Sequence, residues 1–263
     1  ARRRRGEVDV KLLSDTFQLF LRDLRATLRM PVFVVLAIVQ PVIWLLLFGH
    51  LFGAVARLPG FEGRSYTQFL APGLAIMSAL FSAAFSGMGL IRDMDRGVLD
   101  RLLATPVRRA AIIGGRVLHA GATVMVQAAA ILVVAALLGV RPDGGPLGVL
   151  VVLAAAGTLG AAVGAGSNGL ALLTGRQEIL LAVTNLTVLP LTFLSTMIMT
   201  RELMPGWIRV AADLNPVDWA VTAARAGFRG GGGGGAAVRF GLLAGFALGC
   251  WALAALAFRR YRA

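Results

Sequence analysis

The chain has 263 residues, 57% of them hydrophobic, with 26 basic residues against 13 acidic and a mean hydropathy of +0.78. A surface that apolar excludes an ordinary water-soluble domain, because the bilayer has to act as its solvent. The net charge of +13 does not mark a nucleic-acid binder either, since the basic residues lie between apolar runs rather than along one stripe.

Residues 1–31 read as a cytoplasmic segment. Within it Leu13, Phe17, Phe20, Leu24 and Leu28 recur at helical spacing while Lys11, Asp15, Arg22 and Arg25 take other faces, which predicts an amphipathic helix over 10–28. It is expected to lie in the membrane interface, with docking on a soluble partner as the alternative. Met30-Pro31 marks a new helix start, where the missing N–H of proline costs nothing.

Six apolar runs follow, at 32–52, 68–91, 117–140, 147–173, 179–200 and 236–258. Each reaches the roughly 20 residues needed to cross about 30 Å of hydrocarbon. The first, Val32–Phe52, is longer than the apolar stretch of a secretory signal and reads as a membrane anchor. The fold class predicted is an all-α membrane protein, with a single six-helix transmembrane domain over 32–258 and a cytoplasmic tail over 259–263. Eighteen basic residues fall on the side of the two termini and eight on the other, which places both ends in the cytoplasm.

Inside the runs, Gln40-Pro41 and Pro190 are expected to kink their helices. Gly160 and Gly164 form a GxxxG step, read first as packing within the subunit and second as dimerisation. The six consecutive glycines Gly230 to Gly235 are expected to form a flexible outer connection.

Two segments outside the runs carry functional signals. In 92–109, Val98, Leu99, Leu102 and Leu103 share one face of a short helix, ringed by Asp95, Arg96, Asp100 and Arg101 and closed by Pro106. An apolar ridge in a cytoplasmic loop fits either a partner groove or the lipid interface, and the pattern alone leaves both open. In 201–228, Trp207, Val210, Ala211 and Leu214 oppose Arg209 and Asp213, and Asn215-Pro216 breaks the helix. This piece fits a cover over an outer exit, or an aromatic belt anchored by Trp207 and Trp219.

Several chemistries find no residues to carry them. Lys11 has no glycine loop before it, so no phosphate-binding loop for ATP is present. The apolar runs hold no carboxylate, which leaves ion-coupled transport without its usual proton carriers, and His50 and His119 fall near helix ends. No HExxH or GxSxG occurs in or beside the runs to support an intramembrane enzyme. The single cysteine, Cys250, permits neither an intramolecular disulfide nor a CxxC site.

The 92–109 stretch resembles the loop between the second and third helices of ABC-2 type exporter permeases, in which an acidic, glycine-containing run leads to a Leu-Leu-Ala-Thr-Pro core. Here those positions are Gly97, Leu102, Leu103, Ala104, Thr105 and Pro106, with Asp93, Asp95 and Asp100 where members commonly carry glutamate. A second match runs through Phe193-Leu194-Ser195, Met204-Pro205-Gly206-Trp207 and Leu214-Asn215-Pro216, ending near Arg225.

The resemblance implies a coupling helix over 97–106, in which Asp95, Gly97, Val98, Leu99, Asp100, Leu102, Leu103, Thr105 and Pro106 meet a separate ATPase. It also implies short re-entrant helices at the outer face, containing Pro205, Gly206, Trp207, Asn215 and Pro216. The chain then holds no cofactor, ATP and Mg belonging to two copies of a cytoplasmic nucleotide-binding subunit, and it pairs in the bacterial cytoplasmic membrane with a second permease, identical or paralogous. The expected cargo is an amphipathic drug or antibiotic, with export of a lipid or envelope glycan as the runner-up. Phe33, Trp44, Phe48, Phe81, Phe85, Met88, Phe193, Met197 and Met199 are available to line an apolar path, although such residues also serve to face lipid or one another.

Overall fold

The computed structural model describes residues 2–29, 31–54, 65–105, 107, 109–231 and 233–260, and these are helical almost throughout. In chain order the helices are α1 (Arg2–Leu28), α2 (Pro31–Leu51), α3 (Tyr66–Ala84), α4 (Gly87–Asp95), α5 (Val98–Leu103), α6 (Arg109–Leu137), α7 (Gly145–Thr174), α8 (Gln177–Phe193), α9 (Gly206–Asp213), α10 (Pro216–Phe228) and α11 (Gly234–Arg260). A 3-10 turn, Arg201–Leu203, precedes α9. Among the described residues, four stretches are long and apolar enough to cross a membrane: Tyr66–Asp95, Ala111–Leu137, Gly145–Thr174 and Gly234–Phe258. The chain is thus an all-α, multi-span membrane protein.

The centre of the bundle is α7, against which α3, α6, α10 and α11 all pack. Glycine makes the α6 contact possible. A Cβ at Gly160 would lie 3.0 Å from Val124, one at Gly164 2.8 Å from Ala120, and one at Gly157 2.9 Å from Met125. The GxxxG step therefore serves packing within the subunit, the first of its two readings.

The amphipathic helix α1 begins at Arg2, well before the expected residue 10. It lies along α6, where Thr16, Leu19 and Phe20 rest on Gly114 and Gly115. Leu13 and Phe17 remain exposed, so the helix has a protein-facing edge and an apolar outer edge rather than a single stripe.

The run expected to be one helix over 68–91 is broken between Ala84 and Gly87. The Ser167 hydroxyl of α7 inserts at the break, donating to the Ala84 carbonyl at 2.6 Å and accepting the Gly87 N–H at 3.0 Å. Asn168 adds a bond from Nδ2 to Ser86 Oγ at 3.2 Å. A side chain that enters the ladder in this way bends the helix at that point.

The run expected over 179–200 also shortens. Helix α8 ends at Phe193, three residues after Pro190, and Ser195, Thr196, Met197 and Thr200 turn into the protein. Several of the described glycines of the run belong to the ends of the flanking helices. Gly230 adopts φ +75°, donating to Gly227 O at 3.0 Å while Gly231 donates to Ala226 O at 3.0 Å, which closes α10 with a left-handed cap. Gly234 and Gly235 already belong to α11.

Candidate functional site

The folded chain gathers its non-spanning segments at two ends. One end holds α1, α4, α5, the start of α6 and the α7–α8 turn, where Gly175 faces Met94. The other holds the start of α3, the α6–α7 turn, and the α9–α10 segment. There Gln68 bonds Arg141 O at 3.2 Å and Asp143 Oδ2 at 3.1 Å, and Gly144 N–H reaches Phe228 O at 3.0 Å.

At the first end, Gly97 supplies a left-handed turn (φ +65°) that separates α4 from α5. Helix α5 is then anchored through Leu99, which is 0% exposed among Leu90, Ile91, Ile112 and Leu180. Leu102 and Leu103 pack half-buried against the same cluster, and Val98 and Asp100 are half-buried. The ridge read from the sequence therefore turns largely into the chain's own core, because the α4–α5 bend folds the short helix back under the bundle. Its outward rim is mostly polar, made of Asp95, Arg96, Arg101 and Thr105, with Ala104 among them. Thr105 Oγ1 closes the helix by donating to Leu102 O at 2.6 Å. Pro106 lies outside the described residues.

An ion-pair hub holds α4 in place, and the sequence reading did not find it. Asp93 accepts from Arg116 of α6 and from Arg22 of α1, the latter at 3.2 Å. Arg22 also pairs with Asp23 at 2.8 Å, and Thr27 meets His119 Nε2 at 2.9 Å. The available signal was the presence of opposite charges in three separate segments next to apolar runs.

At the second end the Leu-Asn-Pro motif acquires a physical reason. Asn215 Oδ1 accepts the Val217 N–H at 2.9 Å and starts α10, while Nδ2 donates to Leu191 O at 2.7 Å and Leu194 O at 2.8 Å and so closes α8. Pro216 occupies the first turn of α10. Pro205 and Gly206 start α9. On α9, Trp207 is 68% exposed, and Val210 and Leu214 are exposed beside it. Helix α10 instead wedges into the bundle through Val217, Val221, Ala224 and Phe228.

That wedge carries buried charge. Asp218, fully buried, accepts from Thr196 N at 2.8 Å, Thr196 Oγ1 at 2.5 Å and Arg239 Nη1 at 2.6 Å. Arg225 donates to Phe69 O at 3.2 Å, Thr196 O at 2.5 Å and Met197 O at 2.6 Å, with its guanidinium 3.6 Å from the centre of the Phe69 ring. Nearer the surface Asp213 receives Arg201 at 2.5 Å and Arg239 at 3.2 Å. The hydrogen bond from Arg201 holds the Asp213 carboxyl below the usual carboxylate range, and the same bond raises Arg201.

The nine residues expected along an apolar path are scattered. The Phe33 side chain lies outside the described residues. Met197 is buried in the core, whereas Phe48, Phe81, Phe85 and Met88 are half-buried and Trp44, Phe193 and Met199 are exposed. What the fold does assemble is an aromatic row. Trp44 meets Phe48 at 4.8 Å, Phe48 meets Phe52 at 5.5 Å, Phe52 meets Tyr66 at 5.7 Å and Tyr66 meets Phe69 at 6.1 Å, which leads to Arg225. Among the described residues no cluster of three or more potential metal ligands occurs.

Residues 14–228 match the ABC-2 type transporter family. The chain is 30% identical over 204 residues to the daunorubicin resistance ABC transporter permease protein DrrB1 of Streptomyces coeruleorubidus, covering 78% of this chain and 71% of that protein. It is 31% identical over 201 residues to the putative transport permease ycf38 of Porphyra purpurea, covering 75% and 68%. It is 31% identical over 231 residues to the inner membrane transport permease YadH of Escherichia coli K12, covering 82% and 86%.

Proposed function

The chain belongs to the ABC-2 type transporter family, as a non-catalytic permease subunit whose ATP is hydrolysed on a separate subunit, and on that premise we propose that it exports amphipathic, drug- or antibiotic-like compounds across the cytoplasmic membrane. The relative named for daunorubicin resistance supports this cargo class.

In this reading α2, α3–α4, α6, α7, α8 and α11 are the six spans, both termini are cytoplasmic, and α9–α10 cap the outer end. The proposed working unit has two permeases and two ATPases. The exposed apolar faces of α2 and α8 are where a second permease copy and the cargo meet this one. Helix α8 has 17 residues, about 25 Å of rise, so it needs the inward-turned 194–200 segment to complete a crossing of about 30 Å.

The observation that carries the reading is the placement of α5. It is a short helix rooted in the core through Leu99 and joined at Gly97 to α4, which Asp93 ties to α1 and α6, and it offers a polar rim at the cytoplasmic end. A helix rooted in this way passes displacement from an ATPase groove directly into α4, α6 and α7. Leu102 and Leu103 pack on the chain's own core, so a charge placed there would damage the permease itself; Arg101 on the rim is the cleaner probe. Arg101→Glu is expected to lower ATPase co-purification and ATP-dependent transport about tenfold with normal membrane insertion. A variant that pairs and pumps like the parent would remove α5 from the coupling path.

A further inference from the structure

The end of the bundle that carries α9 and α10 contains a cavity of about 360 Å³. Its lining carries four arginines, Arg201, Arg225, Arg229 and Arg239, and the carboxylate Glu202, with Asp213 and Asp218 behind the wall balancing part of the charge of Arg201 and Arg239. Asp213 and Asp218, which pair with Arg201 and Arg239, are not part of the lining. Asp218 is enclosed by its own donors from Thr196 and Arg239.

Two further observations point to a ligand. Arg225 is fixed by three backbone carbonyls and by the Phe69 ring, so its charge is held in place at the cavity wall before anything binds. Thr200, 4% exposed, lines the same cavity, and its buried hydroxyl has no hydrogen-bond partner. A buried hydroxyl seeks a partner, and planar guanidinium forks match oxyanions. The volume is near the small end of ligand pockets, which run from about 300 Å³ upward. Phe69, the last ring of the aromatic row that starts at Trp44, forms part of the cavity wall beside Arg225.

We propose that this cavity binds a phosphate-type oxyanion, carried by a lipid headgroup or present as a free anion. The position of the site in the outer leaflet rests on the topology proposed above; the binding itself does not.

The test uses the full-length permease, without an ATPase, in nanodiscs of zwitterionic phosphatidylcholine. Inorganic phosphate is titrated at constant ionic strength, and in a second arm part of the lipid is replaced by phosphatidylglycerol. The readout is hydrogen-exchange protection of residues 196–203. Protection by phosphatidylglycerol alone identifies a lipid headgroup, and protection by inorganic phosphate identifies a site open to free anions; either outcome supports the proposal. The double substitution Arg201→Gln with Arg229→Gln is expected to raise the half-saturating concentration about tenfold or more. Thr200→Val, nearly isosteric, is expected to weaken protection as well. Absence of protection in both arms, or an unchanged response in the double variant, would overturn the proposal. Because no ATPase is present, failure of the α5 coupling role leaves this result unaffected.

Discussion

At Asn215 the amide oxygen begins α10 while the amide nitrogen closes α8, so one buried side chain sets the angle between a candidate span and the wedge that follows it. Asn215→Ala loses the cap and both carbonyl bonds and should lower stability by about 1–3 kcal/mol. Asn215→Asp keeps the cap but brings a carboxylate against two carbonyl oxygens, so the apparent unfolding midpoint should fall for both variants. A second residue-level expectation concerns Asp213, whose pKa is lowered in the folded protein by the hydrogen bond from Arg201. A lowered folded pKa stabilises above the unfolded value, about 3.9, and that contribution disappears as pH falls through the folded value. The tether between α9 and the 3-10 turn should therefore be constant from neutral pH down to about pH 5 and weaken at more acid pH. Hydrogen exchange of residues 201–213 measures this, and Asp213→Asn should abolish the acid-dependent component.

At the scale of elements, glycine decides which helices touch. A Cβ at Gly148 would run into the Gly227 carbonyl oxygen, a backbone atom that cannot rotate away, whereas Gly166 has nothing within 4 Å. Gly148→Ala is expected to separate the start of α7 from the end of α10 and to cost about 1–3 kcal/mol. Gly166→Ala should be neutral or stabilising by about 0.5–1 kcal/mol, because alanine is the better helix former. Thermal unfolding of the two variants side by side distinguishes close packing from a general need for small residues. The helix termini follow the same logic of local chemistry. The sequence showed the start of α2 through Pro31 and the start of α10 through Asn215-Pro216. It did not show the break between α3 and α4, since the group responsible, Ser167, lies 80 residues further along the chain.

For the molecule as a whole, most of the buried surface belongs to α3, α6, α7 and α10, while α2, α8 and α11 keep broad apolar faces outward. Leu186 on α8 is 78% exposed, and α8 has packing partners only in α3, α4 and α7 among its larger contacts. If α8 meets a second permease copy, Leu186→Cys on a Cys250→Ser background should cross-link as a dimer in membranes. Monomer alone at Leu186 and at neighbouring exposed positions of α8 would place the partner elsewhere.

The sequence by itself determined the membrane class, the approximate position of the apolar runs and the two motif segments, because hydrophobic length and proline or asparagine at a helix start act within a few residues. Tertiary structure alone decided that Leu99 faces inward rather than toward a partner, since the bend at Gly97 folds α5 beneath α4. It also decided that Asp93 joins Arg22 and Arg116, and that Arg201, Arg225, Arg229 and Arg239 share one chamber. The physical reason is that burial of Leu99 and pairing of these charges both depend on residues from distant segments: apolar surface must leave water, and a partly desolvated charge must find its counter-charge or carbonyl, only where helix packing brings them together.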